Sequence, residues 1–465
     1  MRSDSACKPC AAKALLLTVA LALGLATGLS AQATEALRTE ALSDYEESVI
    51  NDEQSLNLLG LSKESLRKRL AGKPPEEVKR TVASLAAALA DARYHAPDPA
   101  AGPSKEILDP NGDFDAIPLN TEAGGFNART VVRPKELDTY RREPGVFSLK
   151  RYVDQRGGVP TFNDAPIALR LEDLAASNVD VAFVGVPSDN GSGWRDAVNA
   201  PNVMRAAFQN YGTSGYDVYA GVDPLEVLTV ADFGNLATDK MSIELTVGHV
   251  RDTIRGIADA GSIPFVVGGD HSVMYSTVAA MASKHGKGGF SVVQLDAHPE
   301  VKRDLDHTIS DEQAVSALIR DGHLDGRQLI QVGIRGQEIS KGDLAWLQSQ
   351  GIRSHTMADV GRQGWDKVAA AVLADVANGP GKVFVSFDAS VLDPAYLKGA
   401  GRPAPNGLSI REASTLVHEL CTRSEVVGFE MLDVAPYLDL SYESVYNANY
   451  IVNTCLAGIA ARREK

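Results

Sequence analysis

The segment Ile263-Pro-Phe-Val-Val-Gly-Gly-Asp-His-Ser272 joins a short apolar run to a turn that carries an aspartate and a histidine. Two later segments repeat this design, Phe290-Ser-Val-Val-Gln-Leu-Asp-Ala-His-Pro-Glu300 and Val383-Phe-Val-Ser-Phe-Asp-Ala-Ser-Val-Leu-Asp-Pro394. Each apolar run has the length and the β-branched content of a buried strand. We therefore expect three strands that each end in side chains able to bind a metal ion.

Similar apolar runs alternate with amphipathic segments from about residue 179 onward. The other runs begin at Val179, Val227, Leu329 and Val426. The segment from Ile243 to Ala260 has helical periodicity and is followed by Gly261, a residue typical of helix ends. Strands buried on both faces consist of continuous apolar runs, so the alternation predicts an α/β protein: a three-layer α/β/α fold with a mainly parallel sheet. Ligands bind such sheets beyond the carboxyl ends of the strands, where the three polar clusters lie.

The polar clusters combine carboxylates with imidazoles. Asp296, His298 and Glu300 are spaced two residues apart, so an extended backbone points all three to one side. His271 and Asp388 follow the two other strands, and all three strand ends converge on one rim of a parallel sheet. A single histidine after a strand is more often a hydrogen-bonded residue than a ligand. Three such clusters in one domain predict a metal site, and this ligand set suits Mn²⁺, with Ni²⁺ as an alternative.

These segments resemble the signature motifs of the ureohydrolase family, which includes arginase and agmatinase, in order and approximate spacing. The likeness extends over roughly residues 155–462 and includes several flanking stretches. The flanking stretches are Val184 to Arg195, Ala200 to Arg205, Gln331 to Gly336, Asn406 to Ala413 and Gly428 to Pro436. The opening Gly157-Gly-Val-Pro-Thr-Phe looks closer to agmatinases and guanidino-acid hydrolases than to arginases.

The resemblance implies an arginase/deacetylase-like fold and a metal-dependent amidinohydrolase that releases urea and an amine from a small cationic guanidino substrate. In the family, two Mn²⁺ ions share a water and lower its pKa, so that hydroxide attacks the guanidinium carbon. The resemblance assigns one ion to His271, Asp296, Glu300 and Asp388. It assigns the other to Asp296, His298, Asp388 and the residue at position 390. It also implies a homo-oligomer, a trimer or a hexamer.

Two metal-motif positions depart from the family pattern. Ser390 stands where the family has a second aspartate. Because a hydroxyl is a poorer ligand than a carboxylate, we expect the second metal position to be weak or empty, which leaves one or two ions in the site. Glu300 replaces an aspartate, keeps its charge and reaches about one methylene further, which flexible coordination accommodates.

Two positions that the resemblance places at the substrate also differ from the family pattern. The family's His-Gly pair, which shuttles protons, falls near Asp311 or Glu312 in this chain. His307, a few residues earlier, is our candidate catalytic histidine, and a surface-loop histidine is the alternative. Asp433 is our candidate substrate-binding acid and is one methylene shorter than the family's glutamate.

Two functions remain open after these departures. The first is a hydrolase of linear guanidino or amidine C–N bonds. The second is a catalytically silent homologue that binds a ligand or stabilises an oligomer. A carboxylate reaching the position beside Ser390 would favour the enzyme. A basic or bulky side chain filling the rim would favour the silent homologue.

The first 33 residues have the pattern of a secretory signal peptide. Arg2, Lys8 and Lys13 precede a short apolar run from Ala14, and small residues lead to Ala31-Gln-Ala33. Cleavage near Ala33 predicts a protein exported to a bacterial periplasm. A retained membrane anchor is the alternative, but the apolar run is short for a bilayer core of ~30 Å.

The remaining residues divide into two expected regions, a helical extension and linker over residues 34–150 and a ureohydrolase-like α/β domain over residues 151–465. We expect no membrane span in the mature protein. The formal net charge of −14 argues against nucleic acid as a partner and favours small cations. Cys421 and Cys455 fall in predicted late helices, where we expect buried free thiols rather than a bridge, although an exported protein permits one.

Overall fold

The computed structural model describes most of the chain from residue 42 to the carboxyl terminus. The described ranges are 42–58, 61–71, 73–92, 144–148, 159–192, 196–211, 215–239, 242–303, 309–336 and 339–465. The predicted signal peptide, most of the predicted linker and the proposed boundaries at residues 33 and 150 lie outside the described residues, so these assignments stay predictions.

An eight-stranded sheet forms the centre of the fold, and every pair of neighbouring strands is parallel. The strands are β1 (Val181–Gly185), β2 (Val230–Asn235), β3 (Ile263–Val267), β4 (Ser291–Leu295), β5 (Leu329–Val332), β6 (Arg353–His355), β7 (Lys382–Asp388) and β8 (Glu425–Leu432). Their order across the sheet is β2-β1-β3-β8-β7-β4-β5-β6. This arrangement confirms the predicted α/β class with a parallel sheet.

Helices follow the strands and cover both faces of the sheet. They are α5 (Leu171–Ala176), α6 (Ala200–Tyr211), α7 (Pro224–Val227), α8 (Ile243–Asp259), α9 (Val273–His285), α10 (Ala314–Arg320), α11 (Lys341–Ser349), α12 (Met357–Gln363), α13 (Trp365–Ala377), α14 (Ile410–Arg423) and α15 (Glu443–Glu464). Successive strand residues point to opposite faces, so Phe265 and Val267 join one hydrophobic core while Val266 joins the other. The result is the three-layer arrangement. None of the helices in the described part of the chain is long and apolar enough to cross a membrane.

Four helices precede the sheet: α1 (Asp44–Asn51), α2 (Glu53–Leu58), α3 (Lys63–Leu70) and α4 (Pro75–Ala92). They share a small core of their own, which includes Ile50, Leu66 and Val82. Arg69 on α3 donates from Nη2 to the carbonyl oxygens of Leu225 at 2.8 Å and Leu228 at 2.6 Å. Since these carbonyls lie at and just after α7, the amino-terminal helices contact the sheet domain directly.

Cys421 and Cys455 form a disulfide, so the expectation of free thiols is wrong. The two cysteines belong to α14 and α15, whose Cα atoms at these positions are 5.3 Å apart, a normal separation for a bridge. The sequence separation of 34 residues does not reveal that the two helices lie side by side. Their packing decides the pairing.

Candidate metal centre

The candidate site lies at the carboxyl ends of four adjacent central strands, β3, β8, β7 and β4. The turn after β3 carries His271, Asp388 ends β7, and the segment after β4 carries the remaining three ligands. All of the predicted metal ligands are buried there: His271, Asp296, His298, Glu300 and Asp388. The structure therefore brings these side chains together where the parallel sheet was expected to place a site.

His271, Asp296 and Asp388 form the first group, in which one atom from each residue lies within 4.8 Å of the others. Nδ1 of His271 is 2.7 Å from Oδ2 of Asp388 and 3.3 Å from Oδ2 of Asp296. Burial alone would lower the pKa of His271, but the two carboxylates raise it well above its usual value. The imidazole in turn lowers the pKa of Asp296 below its usual range, although burial opposes this change.

Asp296, His298 and Glu300 form the second group, so Asp296 belongs to both groups. Nδ1 of His298 is 3.4 Å from Oδ1 of Asp296 and 3.9 Å from Oε1 of Glu300. Glu300 has a φ of +53°, a conformation that costs free energy in a residue with a side chain and is concentrated at functional sites. Burial and the neighbouring carboxylate of Asp296 raise the pKa of Glu300 well above its usual value.

Ser390 lies beside the second group, where the family resemblance implies a carboxylate. Its hydroxyl donates to Oδ1 of Asp296 at 3.0 Å and lies 3.4 Å from Nδ1 of His298. Its backbone N–H donates to Oδ1 of Asp388 at 2.7 Å. The side chain therefore reaches the expected place but contributes no negative charge.

The donor set fits a divalent cation. Three buried carboxylates, those of Asp296, Glu300 and Asp388, converge with two imidazoles, and burying like charges together is costly without a counter-charge. Oε2 of Glu300 is buried and makes no hydrogen bond within the described ranges. A mixture of carboxylate oxygens and imidazole nitrogens suits Mn²⁺ and related metals.

A hydrogen-bonded row of two buried glutamine amides and a serine orients Asp296, and our sequence analysis did not assign these residues a role. Gln294 donates from Nε2 to Oδ2 of Asp296 at 2.9 Å, and Gln331 donates to Oε1 of Gln294 at 2.9 Å. Ser354 then donates to Oε1 of Gln331 at 3.1 Å. Partners behind a ligand set its direction, as these do. The sequence feature that could have indicated this row is a glutamine within each of two largely apolar strands, β4 and β5.

Asp270 anchors a loop rather than joining either ligand group. Its Oδ2 accepts the backbone N–H groups of Gly191 and Ser192, both at 2.8 Å. Its Oδ1 accepts the N–H of Ser272 at 3.0 Å. The aspartate of the Gly-Gly-Asp-His segment therefore positions the loop after β1 against the turn that carries His271.

The loop after β7 is held against the site by two charged residues. Asp393 accepts the N–H of Asn406 at 2.7 Å, which closes the loop on itself. Arg335 donates from Nη2 to the carbonyl oxygens of Ser390 at 2.6 Å and Ala404 at 2.7 Å. These bonds fix the path of residues 393–407 across the rim.

Arg402 projects from this loop into the carboxylate cluster, a placement that the sequence analysis missed. Nη1 donates to Oε1 of Glu312 at 2.9 Å, Nη2 donates to Oε1 of Glu300 at 3.3 Å, and Nε lies 3.9 Å from Oδ2 of Asp311. Burial alone would lower the pKa of Arg402, but Glu300 and Asp311 raise it further above its usual value. A permanently charged guanidinium therefore lies on the rim. The available signal was a single basic residue in the Gly-Ala-Gly-Arg-Pro turn.

Asp433 follows β8 and lies at the same rim. It has a φ of +60°, and its Oδ2 accepts the backbone N–H of Arg402 at 3.1 Å. Burial and the nearby carboxylate of Asp388 raise its pKa well above the usual value. Gly401 lies so close that a Cβ there would collide with the Asp433 carboxylate. His307 lies outside the described residues, so its catalytic role stays a prediction.

Comparison with known proteins identifies the family. The arginase-family model matches residues 179–458. A mitochondrial agmatinase of Gallus gallus is 31% identical over 278 residues, which cover 59% of this chain and 79% of that protein. A guanidinobutyrase of Pseudomonas aeruginosa is 29% identical over 314 residues, which cover 66% of this chain and 95% of that protein.

Solved structures show the same relationship. The proclavaminate amidino hydrolase of Streptomyces clavuligerus superposes with a TM-score of 0.59 at 26% identity, and the match covers 66% of this chain and 99% of that one. These relatives are named as hydrolases of guanidino or amidino compounds. Because the family model spans more than half of the chain and coincides with the strands that build the site, the protein belongs to the arginase family.

Proposed function

We propose that the protein is a divalent-metal-dependent hydrolase that cleaves a C–N bond of a guanidino compound, which releases urea and an amine, or of a related amidine, which releases an amide and an amine. The observation that carries this proposal is the pair of buried ligand groups that share Asp296 at the ends of the central strands. The agmatinase and guanidinobutyrase relatives support the substrate class.

His271, Asp296 and Asp388 would hold the ion, with Mn²⁺ as the first choice and Ni²⁺ as the alternative. When bound, such an ion makes hydroxide available from water near neutral pH and polarises the substrate. Gln294 keeps the Asp296 carboxylate turned toward His271 through the hydrogen bond to Oδ2. This hydrogen bond pre-organises the ligand group before substrate binds.

Asp433 would hold the substrate guanidinium, because its carboxylate lies at the rim beside Asp388 and accepts one backbone N–H bond. A planar guanidinium presents paired N–H donors that match a carboxylate. The leaving amine needs a proton, and His307 is our candidate for delivering it.

The second candidate function is a silent homologue that binds a ligand without turnover. Arg402 favours it, since a basic side chain paired with Glu300 and Glu312 fills part of the rim. The enzyme remains the better-supported proposal, because three of the four ligands assigned to the first ion, His271, Asp296 and Asp388, lie together and make no ion pair with lysine or arginine in the described part of the chain. The fourth, Glu300, is the ligand that Arg402 contacts.

We also propose that the protein is exported after cleavage near Ala33 and acts as a homo-oligomer. The disulfide between Cys421 and Cys455 supports export, because disulfides persist in oxidising compartments and are rare in a reducing cytosol. Fractionation of cells and sequencing of the mature amino terminus test the first part, and light scattering tests the second.

The test of the hydrolase is metal analysis of the purified exported protein joined to a urea-release screen over agmatine, guanidinobutyrate and guanidinopropionate with added Mn²⁺ or Ni²⁺. We expect metal bound beyond trace amounts and urea released from at least one compound. Asp296→Asn should abolish both, whereas Asp252→Asn, the same change at an exposed position of α8, should alter neither. Trace metal together with no urea from any compound would refute the hydrolase and leave the silent homologue.

A further inference from the structure

A cavity of about 140 Å³ lies between the amino-terminal helices and the sheet domain. One water molecule takes up about 30 Å³ in the liquid, so the cavity has room for a small organic molecule. Most of its wall is apolar and comes from α3, α4 and β2 together with neighbouring loops. The apolar lining residues include Leu61, Leu66, Leu70, Leu85, Val146 and Val230.

Arg69 brings a positive charge to this apolar wall. Its Nη2 donates to the carbonyl oxygens of Leu225 and Leu228, which are neutral acceptors. Its Nε is buried and has no hydrogen-bond partner among the described residues. Burial lowers the pKa of Arg69 to about 10, so the guanidinium stays charged at neutral pH. A buried charge without a counter-charge is costly, and an anion beside Nε would remove that cost.

The other charged groups around the cavity are already engaged. Lys73 donates to Oε1 of Glu77 at 2.9 Å, and Asp164 has an interaction partner of its own. Asp180 attracts Arg69, but its Oδ1 lies 2.8 Å from Nη1 of Arg463. The charge that the cavity offers to a ligand is therefore the positive charge of Arg69.

Asn163 adds a hydrogen-bond acceptor to the lining. It is 4% exposed, and its Nδ2 donates to Oδ1 of Asn453 at 2.8 Å. Its own Oδ1 is buried and accepts no hydrogen bond from the part of the chain that the structure describes. A hydroxyl group is a neutral donor that would satisfy this oxygen.

We propose that this cavity is a second ligand site, which binds a small aliphatic carboxylate that also carries a hydroxyl group. The carboxylate accepts from Nε of Arg69, and a charge-assisted bond of this kind is among the stronger hydrogen bonds in proteins. The hydroxyl donates to Oδ1 of Asn163, and the aliphatic chain packs against the leucines. Apolar walls with a few well-placed polar groups are typical of sites for small molecules.

This site is separate from the metal centre. Thr229, which lines the cavity, directly precedes β2, and Val230 is the first residue of that strand. The metal ligands instead follow or end strands of the same parallel sheet. The two sites therefore lie at opposite ends of the strands. A ligand in the cavity would join the amino-terminal helices to the sheet domain without touching the residues proposed for hydrolysis.

The test is calorimetric titration of the full-length, chelator-stripped protein with 3-hydroxyhexanoate, hexanoate and hexylamine. We expect saturable binding of one 3-hydroxyhexanoate per chain, weaker binding of hexanoate because it lacks the hydroxyl, and no binding of the cationic hexylamine. Arg69→Gln should weaken the binding of 3-hydroxyhexanoate at least about tenfold, because it removes the charge. Asn163→Gly should bind 3-hydroxyhexanoate and hexanoate equally.

Three further variants serve as controls. Arg80→Gln makes the same change as Arg69→Gln at an exposed position of α4 and should bind like the wild type. Asp296→Asn should also bind like the wild type, because the metal centre lies at the other end of the strands. Leu61→Trp keeps both polar groups but fills a half-buried position of the wall, and it should weaken binding. It tests the cavity even if circular dichroism shows that Arg69→Gln does not fold.

Several results would overturn the proposal. They are no binding of 3-hydroxyhexanoate to the wild type, equal binding of hexylamine, and unchanged binding in Leu61→Trp or in a folded Arg69→Gln variant. Loss of binding in Asp296→Asn would place the carboxylate at the metal centre and would overturn it as well.

Discussion

Removing the disulfide between Cys421 and Cys455 should lower the free energy of unfolding by about 4 kcal/mol. The bridge joins positions 34 residues apart, and the chain-entropy relation for a loop of that length gives about this value at 25 °C. Both cysteines are fully buried between α14 and α15, so alanine replaces them without burying a polar group. With an unfolding entropy of roughly 2 cal/mol/K per residue, a chain of 465 residues should melt about 4 °C lower.

The measurement is guanidinium denaturation followed by circular dichroism on three samples: oxidised wild type, wild type reduced with a phosphine, and Cys421→Ala/Cys455→Ala. The reduced wild type and the double variant should agree within about 1 kcal/mol, because both lack the same cross-link. The phosphine should not affect the double variant. A loss below about 1 kcal/mol in both samples would show that the cross-link does not restrict the unfolded chain, and would refute the reasoning.

Three further predictions concern charges within the fold. Burial raises the pKa of Glu430 from 4.5 to about 7, so between these two pH values the native state keeps a proton that the unfolded chain has released. The contribution of this group to the free energy of unfolding is complete below pH 4.5 and is lost as the pH rises to about 7. Because glutamine stays neutral, Glu430→Gln should raise the free energy of unfolding by about 3 kcal/mol at pH 8, measured by urea titration. Asp232→Asn should lower the free energy of unfolding by about 3 kcal/mol in the same assay. The buried Arg205 donates to the Asp232 carboxylate at 2.8 and 2.9 Å, and the substitution leaves its charge without a counter-charge. Mn²⁺ at about 100 times its dissociation constant should stabilise the wild type by about 2.7 kcal/mol in thermal melts and leave Asp296→Asn unchanged.

Each of these predictions has an outcome that contradicts it. A Glu430→Gln variant with the same pH dependence as the wild type would show that another group titrates. Asp252→Asn is the exposed control for Asp232→Asn, and equal losses in the two variants would remove the argument from burial. Stabilisation of Asp296→Asn by Mn²⁺ would place the ion outside the ligand groups described above.

The sheet was predictable wherever a strand is buried on both faces. The strands β3, β4 and β7 are buried along almost their whole length and consist mainly of apolar residues, because each lies between two helical layers. β6 (Arg353–His355) was missed since it is an edge strand of three partly exposed polar residues. Such a strand forms because its backbone pairs with β5, and backbone pairing produces no periodic pattern of apolar residues in the sequence.

The ligands were predictable for a related reason. Asp388 ends β7, Asp296 directly follows β4 and His271 lies four residues after β3, so the direction of each strand fixes the approximate place of its ligand. Arg402 was not predictable in this way, because it lies well beyond the end of β7 on a loop. Its position depends on a hydrogen bond from Arg335 to Ala404, 69 residues later in the chain, and on the bond from Asn406 to Asp393 that closes the loop.

This difference separates what the fold determines from what the loop residues determine. The parallel sheet gathers carboxylates and imidazoles at one rim in any sequence that keeps the strand ends, so membership of the family specifies where the chemistry takes place. The charge at that rim depends on single loop positions. Relative to the family pattern, Ser390 removes a negative charge and Arg402 adds a positive one, and together they shift the charge at the rim by two without moving a strand. The charge that the site offers to a divalent cation should therefore follow positions 390 and 402 rather than the fold.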